Sequence, residues 1–153
     1  MRRRVIISSV VLGVLVFLAI SLMLARAFNA ESTERTAVTD LVRAEARGDL
    51  RGATSQLTDC AANPVCRARI AANVAALHRG GTLQVLQLEA STGFSLGSTL
   101  GNARIAFRIG TSLPAVQCVR VRRAGNVVSG LRVELLSVSR PLKGDAACGP
   151  SGP

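Results

Sequence analysis

Few side chains in this 153-residue sequence could do chemistry, and their types narrow the options at once. His78 is the sole imidazole, so any nucleophile–base pair would have to be built around it. It falls in the last turn of a helical segment, where an imidazole reads as a favourable neighbour of the helix dipole. Paired carboxylates are conceivable only if Asp40, Asp49, Asp59 or Glu89 meet in space. Asp49 and Asp59 read more simply as a helix cap and a helix-end turn residue. The glycine-rich stretch from Gly93 to Gly101 lacks the Lys-Ser/Thr ending of a phosphate cradle, and a strand pattern follows it instead of a helix. The sequence therefore predicts no catalytic residues, no cofactor and no enzyme.

Cys60, Cys66, Cys118 and Cys148 form an even set, as an oxidising compartment would allow. Three pairings are possible. Cys60–Cys66 with Cys118–Cys148 is favoured, because the first two are near neighbours across a tight turn. The chain-entropy relation assigns about 2.4 kcal/mol to the short loop and about 3.7 kcal/mol to the long one. A zinc site is disfavoured and no metal is expected: there is no CxxC, and His78 is the only histidine.

The remaining chemically expressive residues are arginines. Nineteen basic residues against nine acidic give a net charge of +10, which falls to +6 once Arg2, Arg3, Arg4 and Arg26 are set aside. Lys143 is the only lysine, a skew that looks like a GC-rich bacterial coding bias. Arg104, Arg108, Arg120, Arg122 and Arg132 occupy the polar phase of three successive strand patterns, with Arg123 beside the turn that follows the second. Paired strands would gather the five on an outer sheet face. Such a face is either ordinary solvated surface or a contact for a polyanion, such as lipid headgroups, a wall polymer or an acidic protein. Nucleic acid is not expected as a partner, since Trp and Tyr are absent and only Phe94 and Phe107 lie in the region that should fold.

These residues need elements to hold them, and the first is apolar. Arg2, Arg3 and Arg4 precede an uncharged run from Val5 to Ala25, closed by Arg26. At about 1.5 Å per residue the run reaches roughly 31 Å, close to a bilayer's hydrocarbon thickness. Residues 1–28 are accordingly read as a signal-anchor transmembrane segment. Flanking charge places the N-terminus in the cytoplasm and the rest outside. If Ala25-Arg26-Ala27 is cleaved as a signal peptide, the product is secreted.

Residues 29–140 should form one extracytoplasmic domain. Ser32 or Thr33 can cap a helix carrying Ala37, Val38, Leu41, Val42 and Ala46 at helical spacing until Gly48; with the anchor uncleaved, this helix can run nearly continuously from the membrane. Asp49 opens a short second helix through Ala53 and Leu57. Asn63-Pro64 opens a third, with asparagine as cap and proline where its missing N–H costs nothing, and Ile70, Val74 and Leu77 form its stripe. From Thr82 the period becomes two. Leu83, Val85 and Leu88 mark a strand with a bulge near Leu86. Ser91 to Gly101 reads as a loop, and Ala103, Ile105, Phe107 and Ile109 as a second strand. Val119 and Val121 mark a third. Gly125-Asn126 signals a hairpin, and Leu131, Val133 and Leu135 a fourth strand. Residues 141–153 form a Pro/Gly-rich tail, loose except where Cys148 ties it. The fold class is α+β: an N-terminal transmembrane helix, then three helices packed on a four-stranded antiparallel meander.

This order resembles the nuclear transport factor two-like, cystatin-like cone fold, as found in small bacterial export-side domains with one N-terminal helix. The matching features are the first helix ending at Gly48-Asp49, Ala53 and Leu57 after it, the third helix, and the strands through Ser139, over residues 32–140. The resemblance implies a cone that can be filled or can hold a ligand among residues such as Leu83, Ile105, Phe107 and Val119. Isomerase-type members use a pocket aspartate with tyrosine or histidine, and tyrosine is absent here. The function expected is a membrane-anchored, extracytoplasmic, non-enzymatic binding or assembly module with an envelope protein partner. The alternatives are polyanion binding through the arginine face and a small-ligand carrier or enzyme using the cone.

Overall fold

In a computed structural model, residues 2–91, 99–126, 130–144 and 146–149 are described. Three helices come first: α1 (Arg2–Arg47), α2 (Leu50–Gln56) and α3 (Pro64–Leu77). Five strands follow: β1 (Leu83–Glu89), β2 (Thr99–Ile109), β3 (Ala115–Asn126), β4 (Gly130–Val138) and β5 (Leu142–Lys143).

The α+β order stands, but the expected anchor followed by three helices and four strands does not. The apolar run is no element of its own. It is the first part of the 46-residue α1, and among the described residues no helix is long and apolar enough to cross a membrane. The helix passes residue 28 without a break, and the reason is local. Neither Gly nor Pro occurs between Gly13 and Gly48. Ser32 and Thr33, read as caps, instead donate back along the helix to the Asn29 carbonyl at 2.9 and 2.8 Å. The helix runs through until Gly48, whose φ of +81° suits glycine. There Gly48 N–H donates to Glu45 O and Asp49 N–H to Ala44 O, the paired bonds of a Schellman end.

α2 and α3 start as their sequences dictate. Asp49 accepts from Gly52 N at 2.8 Å, and Asn63 Oδ1 accepts from Val65 N and Cys66 N, with Pro64 in the first turn. The sheet is antiparallel in the order β1-β2-β3-β4. The bulge in β1 falls between Val85 and Gln87, as the slipped period near Leu86 predicts. A second register shift at Arg120/Val121 faces Leu136, where the β4 alternation also slips. Thr99–Gly101, read as loop, belong to β2. Gly101 is glycine because a Cβ there would collide with the Ser91 carbonyl oxygen. Gly125 and Asn126 do not turn the chain; they pair with Leu131 and Gly130, so the hairpin is longer than expected.

The fifth strand is β4 resumed after Ser139–Pro141. Leu142 and Lys143 pair with Val116 and Ala115 on the flank of β3 that β4 occupies further along. The tail from Pro141 is thus not loose at its start. The core lies between the inner sheet face and the helices: Val38, Leu41 and Val42 of α1 and Ile70 and Leu77 of α3 pack on Ile105, Phe107, Val119, Val121 and Leu135. Disulfides join Cys60 to Cys66 and Cys118 to Cys148, the pairing favoured from spacing, and no cysteine is free. Both bonds belong to an oxidising environment.

Candidate functional site

The antiparallel register puts Arg104, Arg108, Arg120, Arg122 and Arg132 on the outer sheet face. It also sets a hydrogen-bonding residue across the ladder from four of them. Arg108 stands opposite Gln84 and donates to it at 2.6 Å, and Arg104 stands opposite Glu89 with their charged atoms 3.9 Å apart. Arg120 faces Asn102, and Arg122 pairs with Glu134, its Nε 2.6 Å from Oε2. Cross-strand pairs of this kind stabilise a sheet, and the two with Glu89 and Glu134 also offset charge. Arg108, Arg122 and Arg132 remain exposed to solvent.

Arg104 differs, with a side chain only 15% exposed. Its Nε donates to Ala146 O at 2.9 Å and its Nη2 to Gly144 O at 3.2 Å. Further along, Asn102 Nδ2 donates to Gly149 O at 2.7 Å, and Cys148 is bonded to Cys118. The tail therefore runs along the outer face of β2 and β3. Ala106 and Val116 point away from the helices into this face and are nonetheless buried.

The inner face holds polar residues that periodicity alone assigned to apolar positions. Glu34 and Glu45 lie on the α1 stripe with Val38, Leu41 and Val42, and both are fully buried. Arg123, placed by sequence at the hairpin, belongs instead to the inner phase of β3. Its Nε and Nη2 stand 2.9 and 2.8 Å from Glu34 Oε2, while Glu34 Oε1 accepts from Ser91 N at 2.5 Å. At the other end of the stripe, Glu45 accepts from Gln117 Nε2 at 2.7 Å and from Asn73 Nδ2 at 3.1 Å. Burial pushes the Glu45 carboxyl up to about 7, against the lowering effect of the Gln117 and Asn73 hydrogen bonds. Asn73 Nδ2 also donates to Ser139 O at 2.9 Å. Ser139 Oγ accepts from Cys118 N at 2.9 Å, so the cluster reaches the root of the tail. The signal for all of these was available: a polar residue standing in an apolar phase.

The other candidates stay apart or are engaged singly. His78 is the C-cap of α3, donating its N–H to Val74 O, with its ring against Gly48. Asp40 and Asp49 both line a groove of about 320 Å³ between α1 and α2, where Asp40 pairs with Arg43 and Asp49 caps α2. Asp59 turns the chain with φ +58°, and Glu89 lies across the sheet from them beside Arg104. No cluster of three or more His, Cys, Asp or Glu able to hold a metal occurs among the described residues. Ile105, Phe107 and Val119, named for a cone interior, are packed in the core. A shallow cavity of about 300 Å³ opens nearby between the end of α3 and the β2–β3 turn, lined by Leu77, Phe107, Ile109 and Arg108.

One region is exposed against its chemistry. From Ile6 to Leu24 the large apolar side chains described on α1 are 42–69% exposed, on every side of the helix. A helix apolar all round is normally buried all round, and nothing in the folded domain covers this one. No family model, no curated protein and no solved structure matches this chain.

Proposed function

We propose that the chain is a non-enzymatic binding or assembly module of an extracytoplasmic compartment, built on a cystatin-like cone and held at an envelope membrane by the apolar arm of α1. The arm carries this reading. It exposes apolar surface that the domain does not cover, and it enters the domain as the same unbroken helix that supplies the core residues Val38, Leu41 and Val42. An apolar arm joined rigidly to a compact domain suits a protein that is positioned, and then engages an envelope protein through the domain. Both disulfides support an oxidising location.

The test is fractionation with and without the arm. Full-length protein should sediment with membranes and be released by detergent but not by high salt, whereas a chain lacking residues 2–25 should be recovered in solution. Recovery of the full chain in the salt wash would remove the reading. Crosslinking in intact cells should then give a defined adduct with an envelope protein, lost on domain-surface substitution.

A second reading, contact with a polyanion, is favoured by the collection of five arginines on one face. Reversing the charge of the exposed Arg108, Arg122 and Arg132 together should weaken binding to anionic vesicles, more at low salt. Unchanged binding would dispose of it.

A further inference from the structure

The C-terminal tail is bound to the domain in an unusual way: firmly, yet without entering the core. Every member of the hydrophobic core cluster lies between Val38 and Val138. The tail contributes instead one two-residue strand, three carbonyls held by Arg104 and Asn102, and one sulfur. What it covers is the outer face, including Ala106, Val116 and the body of Arg104. The backbone contacts are weak singly, each hydrogen bond contributing about 1 kcal/mol net. The Cys118–Cys148 bond turns them into a closed loop whose ends stay together.

We propose that the described tail residues 142–144 and 146–149 are a disulfide-gated strap, which a dithiol reductant releases from the outer sheet face while the domain stays folded. The reductant's thiolate attacks Sγ of Cys148, the less buried residue of the pair, and Cys118 leaves as a thiolate that takes up a proton. The second thiol of the reductant then resolves the mixed disulfide, so that two protein thiols and one oxidised reductant result. Release uncovers Val116 and Ala106 and frees two Arg104 donors from their carbonyls. It also opens the backbone edge of β3 at Ala115 and Val116, now paired with Lys143 and Leu142. The switched surface is thus an apolar strip bordered by a guanidinium and an unpaired strand edge.

The experiment compares full-length protein with a C118S/C148S double variant by amide hydrogen exchange, with thermal unfolding alongside. Exchange across residues 142–144, 146–149 and 115–118 should accelerate tenfold or more in the variant, while residues 38–47 and 70–77 keep their protection and unfolding stays cooperative. Titrating the unaltered protein with dithiothreitol should give the same tail acceleration in step with alkylation of Cys118 and Cys148. Two results would overturn the inference. Loss of protection in α1 and α3 with the tail's would make the bond a staple of the whole fold. A tail that stays protected once both sulfurs are separated would mean that its backbone contacts hold it without the gate.

Discussion

Two carboxylates on one stripe of α1, Glu34 and Glu45, are equally buried and are met in opposite ways. Glu34 faces a cation: the Arg123 guanidinium reaches it from β3, and the Ser91 N–H completes its set. Glu45 faces only amides, from Asn73 on α3 and Gln117 on β3. Glu34 sits in an ion pair, whereas burial pushes the Glu45 carboxyl toward its protonated form against the pull of its two amide hydrogen bonds. One end of the helix–sheet interface is therefore an ion-paired clasp, and the other carries a charge that depends on pH.

The largest effect should come from breaking the clasp. Arg123→Met keeps the bulk but strands Glu34, and removal of one member of a buried pair costs about 3–5 kcal/mol. That is a large share of the stability of any domain this size. Replacing both members with apolar residues of similar volume (E34M/R123M) should recover most of the loss, because the desolvated charge goes with its partner. Urea unfolding of the single and double variants checks this. A single variant within about 1 kcal/mol of the unaltered protein would show that the pair is not buried in solution.

The amide end should give the next largest effect, and only across a pH range. Folded Glu45 keeps its proton up to about 7, while an unfolded glutamate loses it near 4.5. Between those values the folded state binds more protons, so stability falls as pH rises, by on the order of 3 kcal/mol in all. The contribution is complete below about 4.5 and gone above about 7. Glu45→Gln should remove this slope and leave the variant more stable than the parent at pH 8. Asn73 Oδ1 and Gln117 Oε1 lack a donor, and either oxygen, once its amide turns, could accept from the NH₂ group that the substitution introduces. Parallel slopes in the two proteins between pH 4.5 and 7 would refute the assignment.

A smaller change sharpens the same site. Asn73→Ala removes one of the two bonds that lower the Glu45 carboxyl and a donor to Ser139 O. It should cost about 1–3 kcal/mol and move the pH-dependent window upward. Thermal unfolding measured across the acid-to-alkaline range would detect both, and a window that stays in place would show that Asn73 does not act on Glu45.

Local chemistry made part of this architecture legible. Asn63-Pro64 announces the start of α3, and the slipped alternation at Leu86 announces a bulge, because both signals lie within a few residues of the event. The continuity of α1 was legible only in part: a helix running on from the apolar segment was one reading, while Ser32 and Thr33 suit a cap as well as they suit a back-bonded helix interior. Arg123 was misplaced because Gly125-Asn126 suggested a turn beside it, although counting in twos from Val119 puts residue 123 on the inner phase. The tail was hidden by composition. Its anchors are side chains of β2 about forty residues earlier in the chain, and no local pattern encodes that.

The outer face supplies the control that separates burial from charge. Arg122 and Glu134 make a shorter contact than Arg123 and Glu34, with Nε 2.6 Å from Oε2 against 2.9 Å. Distance alone would rank the outer pair as the stronger. Its side chains, however, are 45% and 29% exposed, so water screens the attraction and the two partners give up little hydration to meet. Leaving either one alone strands nothing, because solvent takes over at once. Arg122→Ala should therefore cost less than about 1 kcal/mol, and the small loss should fade in high salt, whereas the cost of Arg123→Met should persist there. Urea unfolding of both variants at low and high ionic strength makes the comparison. Equal costs would mean that proximity governs both pairs, and the contrast between the two faces of β3 would not hold.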